Sequence, residues 1–367
     1  RGRPQDVFPM WVADMDFPAP PCVIDALTER SRHGIFGYSD TKADYFDAVA
    51  AWFSTRHRWA VEPEWLVKTP GVVFALNVAI RAYTNAGDAV MIQPPVYYPF
   101  SEAVKLNGRR LIENRLVYEA GRYSIDFDDF EAKIVRNSVK LFILCSPHNP
   151  VGRVCSPDEL TRLGEICVRH NVIIVADEIH QDFVYQGHTH TVFASLSPEI
   201  ASRTITCTAP SKTFNLAGLQ IANIFISEPN LRNQFVDEYE RSGFSQVGTM
   251  GIVACRAAYQ SGAVWLDELR KYLLGNSQLM RRFLSENLPQ VKYAPQEGTY
   301  LAWLDFTEFG LSDAELRNII TNRAKLWLDD GTMFGSGGSG FERLNFACPK
   351  SVLLSALERL AIAFSGL

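Results

Sequence analysis

Apolar side chains recur along this chain at two spacings. Short, nearly continuous apolar runs with the length of buried strands occur at Leu66 to Thr69, Ala89 to Gln93, Lys140 to Ser146, Val172 to Asp177, Thr204 to Ala209 and Ile221 to Ser227, with a more mixed run at Arg110 to Leu116. Between them the spacing changes to three and four residues, which predicts helices at Val23 to Arg32, Asp40 to His57, Tyr98 to Leu106, Phe127 to Val135 and Pro157 to His170. A further helix follows Pro70-Gly71 and carries Val72, Leu76, Ala79 and Ile80 on one face. Two long helical patterns fill Leu231 to Leu288. A Pro-rich arm (Pro4, Pro9, Pro18, Pro20, Pro21) precedes all of this.

Strands that alternate with helices and are apolar throughout predict an α/β fold, in which a mostly parallel sheet is buried on both faces. The last segments, Gly298 to Phe306, Ser312 to Arg323, Leu326 to Asp329, Arg343 to Cys348 and Val352 to Phe364, mix short strands with helices and suit a smaller α+β lobe. A TIM barrel is the rival architecture, but the helical stretch from 231 to 288 interrupts its eightfold rhythm. Internal repeats, which would change the fold class, are absent from the sequence.

At 367 residues the chain has room for about two domains. Hydrophobic residues make up 47% and charged residues 21%, so neither a disordered nor a collagen-like chain fits. Thirty-six Lys and Arg stand against forty-one Asp and Glu, a formal charge of -5, and the basic residues never run longer than two or three together. That argues against a nucleic-acid or anionic-membrane surface. No apolar stretch approaches the roughly 18 residues of a membrane helix. Arg1 is neither an initiator Met nor the start of a signal peptide, and residues are expected to precede it. Seven Cys, several in apolar strands and none in a C-x-x-C, predict reduced core thiols and a cytoplasmic address. The seven His show no H-x-x-x-H spacing, so no metal site is expected.

Ligands of open α/β sheets bind beyond the carboxyl ends of the strands, so the polar residues that follow each apolar run are the candidates for chemistry. Four groups stand there: Pro147-His148-Asn149-Pro150-Val151-Gly152, Asp177-Glu178-Ile179-His180, Ser211-Lys212, and Arg343. Alone, each has an ordinary explanation as a turn, a cap, a surface lysine or a structural ion pair. Together they match a cofactor's needs. A lysine condenses with an aldehyde, a carboxylate at a strand end keeps a pyridine nitrogen protonated, and a helix N-terminus holds a phosphate. These are the requirements of pyridoxal 5'-phosphate.

At these positions the sequence resembles the class I/II aminotransferase family of fold-type-I pyridoxal-phosphate enzymes, and more narrowly its cystathionine β-lyase, or carbon-sulfur lyase, branch. The resemblance rests on Pro9-Met-Trp-Val-Ala-Asp-Met-Asp-Phe17, Gly34-Ile-Phe-Gly-Tyr38, Thr69-Pro-Gly-Val-Val73, Gln93-Pro-Pro-Val-Tyr-Tyr-Pro-Phe100, Ser146-Pro-His-Asn-Pro-Val-Gly-Arg153, Asp177-Glu-Ile-His180, Ala209-Pro-Ser-Lys-Thr-Phe-Asn-Leu-Ala-Gly218 and Arg343-Leu-Asn-Phe-Ala-Cys-Pro349. It implies a seven-stranded type of sheet in a large cofactor-binding domain over 36–265. It also implies a small domain assembled from the arm at 1–35 and from 266–367.

The resemblance also implies roles. Lys212 would bind the cofactor covalently and then move the Cα proton, and Asp177 would pair with the pyridinium nitrogen. Tyr97 would stack on the ring, Asn149 would hydrogen-bond the ring oxygen, and His180 would stand near that oxygen. Gly71, Val72, Val73 and Ser211 would hold the phosphate. Arg343 would grip the substrate α-carboxylate, which Asn149 and the Ala13 backbone would also approach. The sequence departs from the family at Gln220, where many relatives have an Arg that clamps the phosphate, and at Ala209, where some have a hydroxyl. The phosphate would then depend on Tyr38 of a second subunit, which implies a homodimer with its sites at the interface.

The implied reaction is β-elimination from L-cystathionine or a related cysteine S-conjugate, giving a thiol, pyruvate and ammonia. Tyr38 and Tyr97 are candidate proton donors to the departing sulfur. The alternative is transamination, which would use the same residues. A second alternative adds a regulatory or binding role to catalysis. Asp14 and Asp16 would share one face of an extended arm, and both are expected to be structural.

Overall fold

The computed structural model describes residues 6–119 and 121–366. Arg1 to Gln5, including Pro4 of the arm, lie outside the described residues, as do Ala120 and Leu367.

Seven strands form the main sheet, in the order Leu66–Thr69, Ala222–Phe225, Thr204–Thr208, Ile173–Asp177, Val139–Cys145, Ala89–Ile92, Arg110–Glu113. From Thr204–Thr208 to Arg110–Glu113 every pairing is parallel, while Ala222–Phe225 runs antiparallel to both of its neighbours. Every residue of Ala89–Ile92 is buried, which explains why this strand reads as a continuous apolar run without alternation; Thr204–Thr208 is also buried throughout, although three of its five residues are threonines. Helices Val72–Tyr83, Pro99–Leu106 and Pro229–Arg241 pack one face. Helices Phe127–Asn137 and Pro157–Arg169 cover the other. The second of these starts on a capping box: Ser156 Oγ accepts from Glu159 N–H at 3.2 Å, and Glu159 Oε2 accepts from Ser156 N–H at 2.9 Å.

The stretch expected to hold two long helices holds three: Pro229–Arg241, Thr249–Ser261 and Ala263–Asn287. The first break begins after Arg241 and includes Gly243, whose φ of 75° is left-handed and ends a helix cheaply. The second is at Gly262, where a Cβ would collide with the Ala258 carbonyl and the Phe214 ring. The run predicted as a strand to Leu116 stops at Glu113, where Asn114 takes its side chain into the fold. Its Nδ2 donates to Asp126 O at 3.0 Å and to Asp129 Oδ2 at 2.9 Å. A hairpin of Val117–Glu119 and Arg122–Ser124 follows, too short to show a period in the sequence. Ser211 and Lys212 lie in a four-residue helix, Pro210–Thr213.

A three-stranded antiparallel sheet forms the second layer system, with Phe341–Asn345 between Leu301–Asp305 and Asp329–Asp330. The helices Ala263–Asn287 and Lys350–Phe364 share its core. The N-terminal arm is strapped to both systems. Phe8–Pro9 pairs in parallel with Leu326–Trp327. Asn345 Nδ2 donates to Val12 O at 2.6 Å and to Asp14 O at 2.5 Å. From the other side, Asn215 Nδ2 donates to Met15 O and Phe17 O, each at 2.9 Å. The arm therefore crosses between the two sheets along a fixed path. The seven cysteines are free, six of them buried. Among the described residues no helix is long and apolar enough to cross a membrane.

Candidate active site

Register brings the carboxyl ends of three central strands level, because Cys145 pairs with Asp177 and Asp177 pairs with Cys207. Beyond them opens a cavity of about 540 Å³ whose walls include Gly71, Val72, Val73, Tyr97, Asn149, Asp177, His180, Ser211, Lys212, Ala13 and Arg343. Sequence positions 13 to 343 converge there, as expected for a site beyond the strand ends.

Lys212 sits in the short Pro210–Thr213 helix, and its Nζ donates to Ala13 O at 3.0 Å. Asp14 Oδ1 stands 3.9 Å from the same nitrogen. The arm expected to be structural thus contributes a carboxylate beside the amine. Burial lowers the lysine's affinity for a proton, and Arg343 adds to the effect, while Asp14 and Asp177 oppose it. Asp177 is 4% exposed and accepts from Ile179 N–H at 3.1 Å. Burial, with Glu178 next to it, pushes its carboxyl up to about 7, against the Ile179 hydrogen bond and Lys212. Such a carboxylate is stabilised by any cation placed against it.

Gly71 precedes the Val72–Tyr83 helix, whose start has no side-chain cap, and the space where a Cβ of Gly71 would point is empty. The helix therefore offers free N–H groups and open room to an anion. Ser211 borders the same cavity, and Gln220 lines it with φ at 49°. His180 is buried with no partner at Nδ1, and burial, followed by Lys212 and Arg343, drives its imidazole down to about 3. It is neutral near pH 7 and presents a ring nitrogen that needs a partner.

Asn149 is held from three directions. Its N–H donates to Cys145 Sγ at 3.4 Å, its carbonyl accepts from Tyr97 N–H at 3.0 Å, and its Oδ1 accepts from Arg343 Nη1 at 2.9 Å. Burial raises the Tyr97 phenol. Arg343 comes from the smaller sheet, donates from Nη2 to Trp11 O at 2.7 Å and to Asp329, and has no partner for Nε. Tyr38 is apart from this group: it is 98% exposed and does not line the cavity of its own chain.

Several neighbours have no role of their own assigned from the sequence. Tyr300 donates its hydroxyl to Ala13 O at 2.8 Å, and Trp11, Tyr98 and Phe244 line the cavity. Asp329 was readable only through strand register, which places it opposite Arg343. A partly buried amine, a buried carboxylate and an uncapped helix start on one cavity form the donor set that a phosphorylated pyridine aldehyde requires. The residues fit pyridoxal phosphate.

A family model described as aminotransferase class I and II matches residues 5–360. The chain is 48% identical over 360 residues to cystathionine beta-lyase PatB of Bacillus subtilis, covering 98% of this chain and 93% of that protein. Its fold is similar to the crystal structure of cystalysin from Treponema denticola, which contains a pyridoxal 5'-phosphate cofactor. The TM-score is 0.96 at 39% identity, covering 98% of this chain and 91% of the other. The pyridoxal-phosphate-bound carbon-sulfur lyase of Staphylococcus hominis is similar too, with a TM-score of 0.93 at 32% identity, covering 98% and 89% of the two chains.

Proposed function

The chain belongs to the class I and II aminotransferase family, and we propose that it is a carbon-sulfur β-lyase that cleaves L-cystathionine or a related cysteine S-conjugate to a thiol, pyruvate and ammonia. The convergence of Lys212, Asp177 and Arg343 on one cavity carries the part of this reading that makes the protein a pyridoxal-phosphate enzyme acting on an amino acid. The lyase names of its similar relatives support it. Pyridoxal 5'-phosphate, when bound, supplies an electron sink for charge developed at the substrate Cα.

Lys212 would hold the cofactor and would take the substrate Cα proton on Nζ; its burial favours the neutral amine that this requires. Asp177 holds a proton on the pyridine nitrogen. The N–H groups of the helix opened by Gly71, with Val72, Val73 and Ser211, would bind the phosphate. Tyr97 would pack against the cofactor ring, and Asn149 and His180 would hydrogen-bond its ring oxygen. Arg343 takes the α-carboxylate between its guanidinium and Asn149, and the Ala13 backbone closes that end.

We place the large domain at 36–265 and the small one at 1–35 with 266–367. The protein works as a homodimer in which Tyr38 completes the partner's phosphate site, a reading supported by the exposure of Ile35, Phe36 and Tyr38 in one stretch. Free thiols suit a reducing cytoplasm. Product analysis with cystathionine as the only substrate tests the central assignment.

A further inference from the structure

A chain of buried polar side chains runs behind the cavity and joins the residues that follow its amine and its carboxylate. Thr213, next to Lys212, donates from Oγ1 to Asp182 Oδ2 at 2.7 Å. Asp182 Oδ1 lies 3.0 Å from His57 Nε2. The His57 and His190 rings meet edge to face, with centroids 5.7 Å apart and planes at 89°. His190 Nε2 lies 3.0 Å from Glu178 Oε2, and Glu178 Oε1 accepts from Phe193 N–H at 2.8 Å. Glu178 follows Asp177 in the sequence. The side chains of His57, Asp182, His190 and Glu178 are only 5, 2, 3 and 1% exposed, and none of the five side chains lines the cavity.

Burying two carboxylates with two imidazoles is a weak route to stability, since well-packed apolar residues often serve as well. The arrangement does fix geometry. The Lys212 helix is four residues long, has no side-chain cap and is too short to hold its own orientation. The Thr213 hydroxyl on Asp182 anchors it from behind. Asp177 ends its strand, and the two bonds of Glu178 pin the segment leaving it. Both anchors meet at the paired imidazoles. Arg56, on the helix of His57, and Tyr259, on Thr249–Ser261, are further ionisable groups within electrostatic reach of Asp182.

We propose that Thr213, Asp182, His57, His190 and Glu178 form one positioning network that holds the Lys212 amine and the Asp177 carboxylate in fixed register. This rests on the cofactor reading above. All five are positioning residues, acting through Lys212 and Asp177.

The test reads the pH midpoint of the visible absorbance of the cofactor-loaded protein, together with kcat and KM. Thr213→Val keeps the side-chain shape and removes the donor. It is expected to shift the midpoint by about half a unit or more and to lower kcat about tenfold, with KM within about twofold of wild type. Thr213→Ser restores the hydroxyl and should return both. Combined with His190→Gln, the effects should be non-additive, because both cut the same chain. His57→Gln provides the same readout if Thr213→Val does not fold. An unmoved midpoint with wild-type kcat, or strict additivity, overturns the network. If borohydride fails to label Lys212 in the wild type, the cofactor reading falls; a labelled Lys212 with an unmoved midpoint overturns the network alone.

Discussion

Asp329 and Arg343 are Cα partners across the smaller sheet, and their side chains form an ion pair in which each is only 3% exposed. Burial works against both charges: it raises the Asp329 carboxyl against the pull of Arg343, and it lowers the Arg343 guanidinium against the pull of Asp329. The pair therefore holds the guanidinium in place at the cavity wall. Arg343→Ala is expected to weaken amino-acid binding by about 1.5 to 3 kcal/mol and to leave cofactor binding nearly unchanged. It also strands Asp329, so Tm falls. Adding Asp329→Asn should recover Tm without recovering KM. Unaltered KM and kcat in Arg343→Ala would return the arginine to a structural role.

Borohydride reduction of the cofactor-loaded protein, followed by peptide mass analysis, is expected to place the pyridoxyl adduct on Lys212. Lys212→Ala should lose turnover while still binding cofactor non-covalently. An adduct on any other lysine would remove the assignment.

The Asp177 carboxyl, held near 7 in the fold by burial, has an ordinary unfolded value of about 4. Between these values the folded chain binds a proton that the unfolded chain does not. Its contribution to stability is thus fully present below about pH 4 and lost as pH rises through about 7. Removal of the cofactor should expose this dependence. The cofactor-free wild type is expected to lose about 2 to 3 kcal/mol more than cofactor-free Asp177→Asn between pH 5 and pH 8. Equal pH slopes in denaturant titrations of the two proteins would refute it. Asp177→Asn should also lose most turnover, since a neutral amide does not hold the nitrogen's proton.

Sedimentation is expected to show a homodimer. Tyr38→Phe should weaken cofactor binding, because the phenol that its own chain leaves in solvent would lose its hydrogen bond to the partner's phosphate. A fully active monomer would rule out the shared site. A dimer in which Tyr38→Phe keeps normal cofactor affinity would discard only the tyrosine's role.

With cystathionine alone, pyruvate and free thiol should accumulate over many turnovers, since elimination needs no second substrate. A single stoichiometric burst of keto acid, resumed only on addition of another keto acid, identifies an aminotransferase instead.

The main sheet was readable from the chain because its inner strands are largely buried on both faces and are mostly apolar or small. The Val117–Glu119 and Arg122–Ser124 hairpin was not, because three-residue strands carry no measurable period. The division of 231 to 288 into three helices depended on what packs at Gly262, a tertiary fact. In the site, Lys212, Asp177, Asn149 and Arg343 were found because each follows a strand end or carries a family motif. Asp14 was expected to be structural, and Asp329 and Tyr300 were not singled out, because the proximity of all three to the site comes from pairing between distant segments. Tyr38 remains where a single chain leaves it, on the surface.

The arm meets Lys212 through the main-chain oxygen of Ala13, which also receives the Tyr300 hydroxyl. A main-chain acceptor survives every side-chain replacement at its own position, so this contact is invisible to an alanine scan of the arm. It is encoded elsewhere, in the two asparagines that grip the arm on either side, Asn215 and Asn345. A laboratory selection for altered substrate range would find little leverage at Ala13 itself. Changes at those two distant amides would redirect the whole strap and carry the oxygen with it.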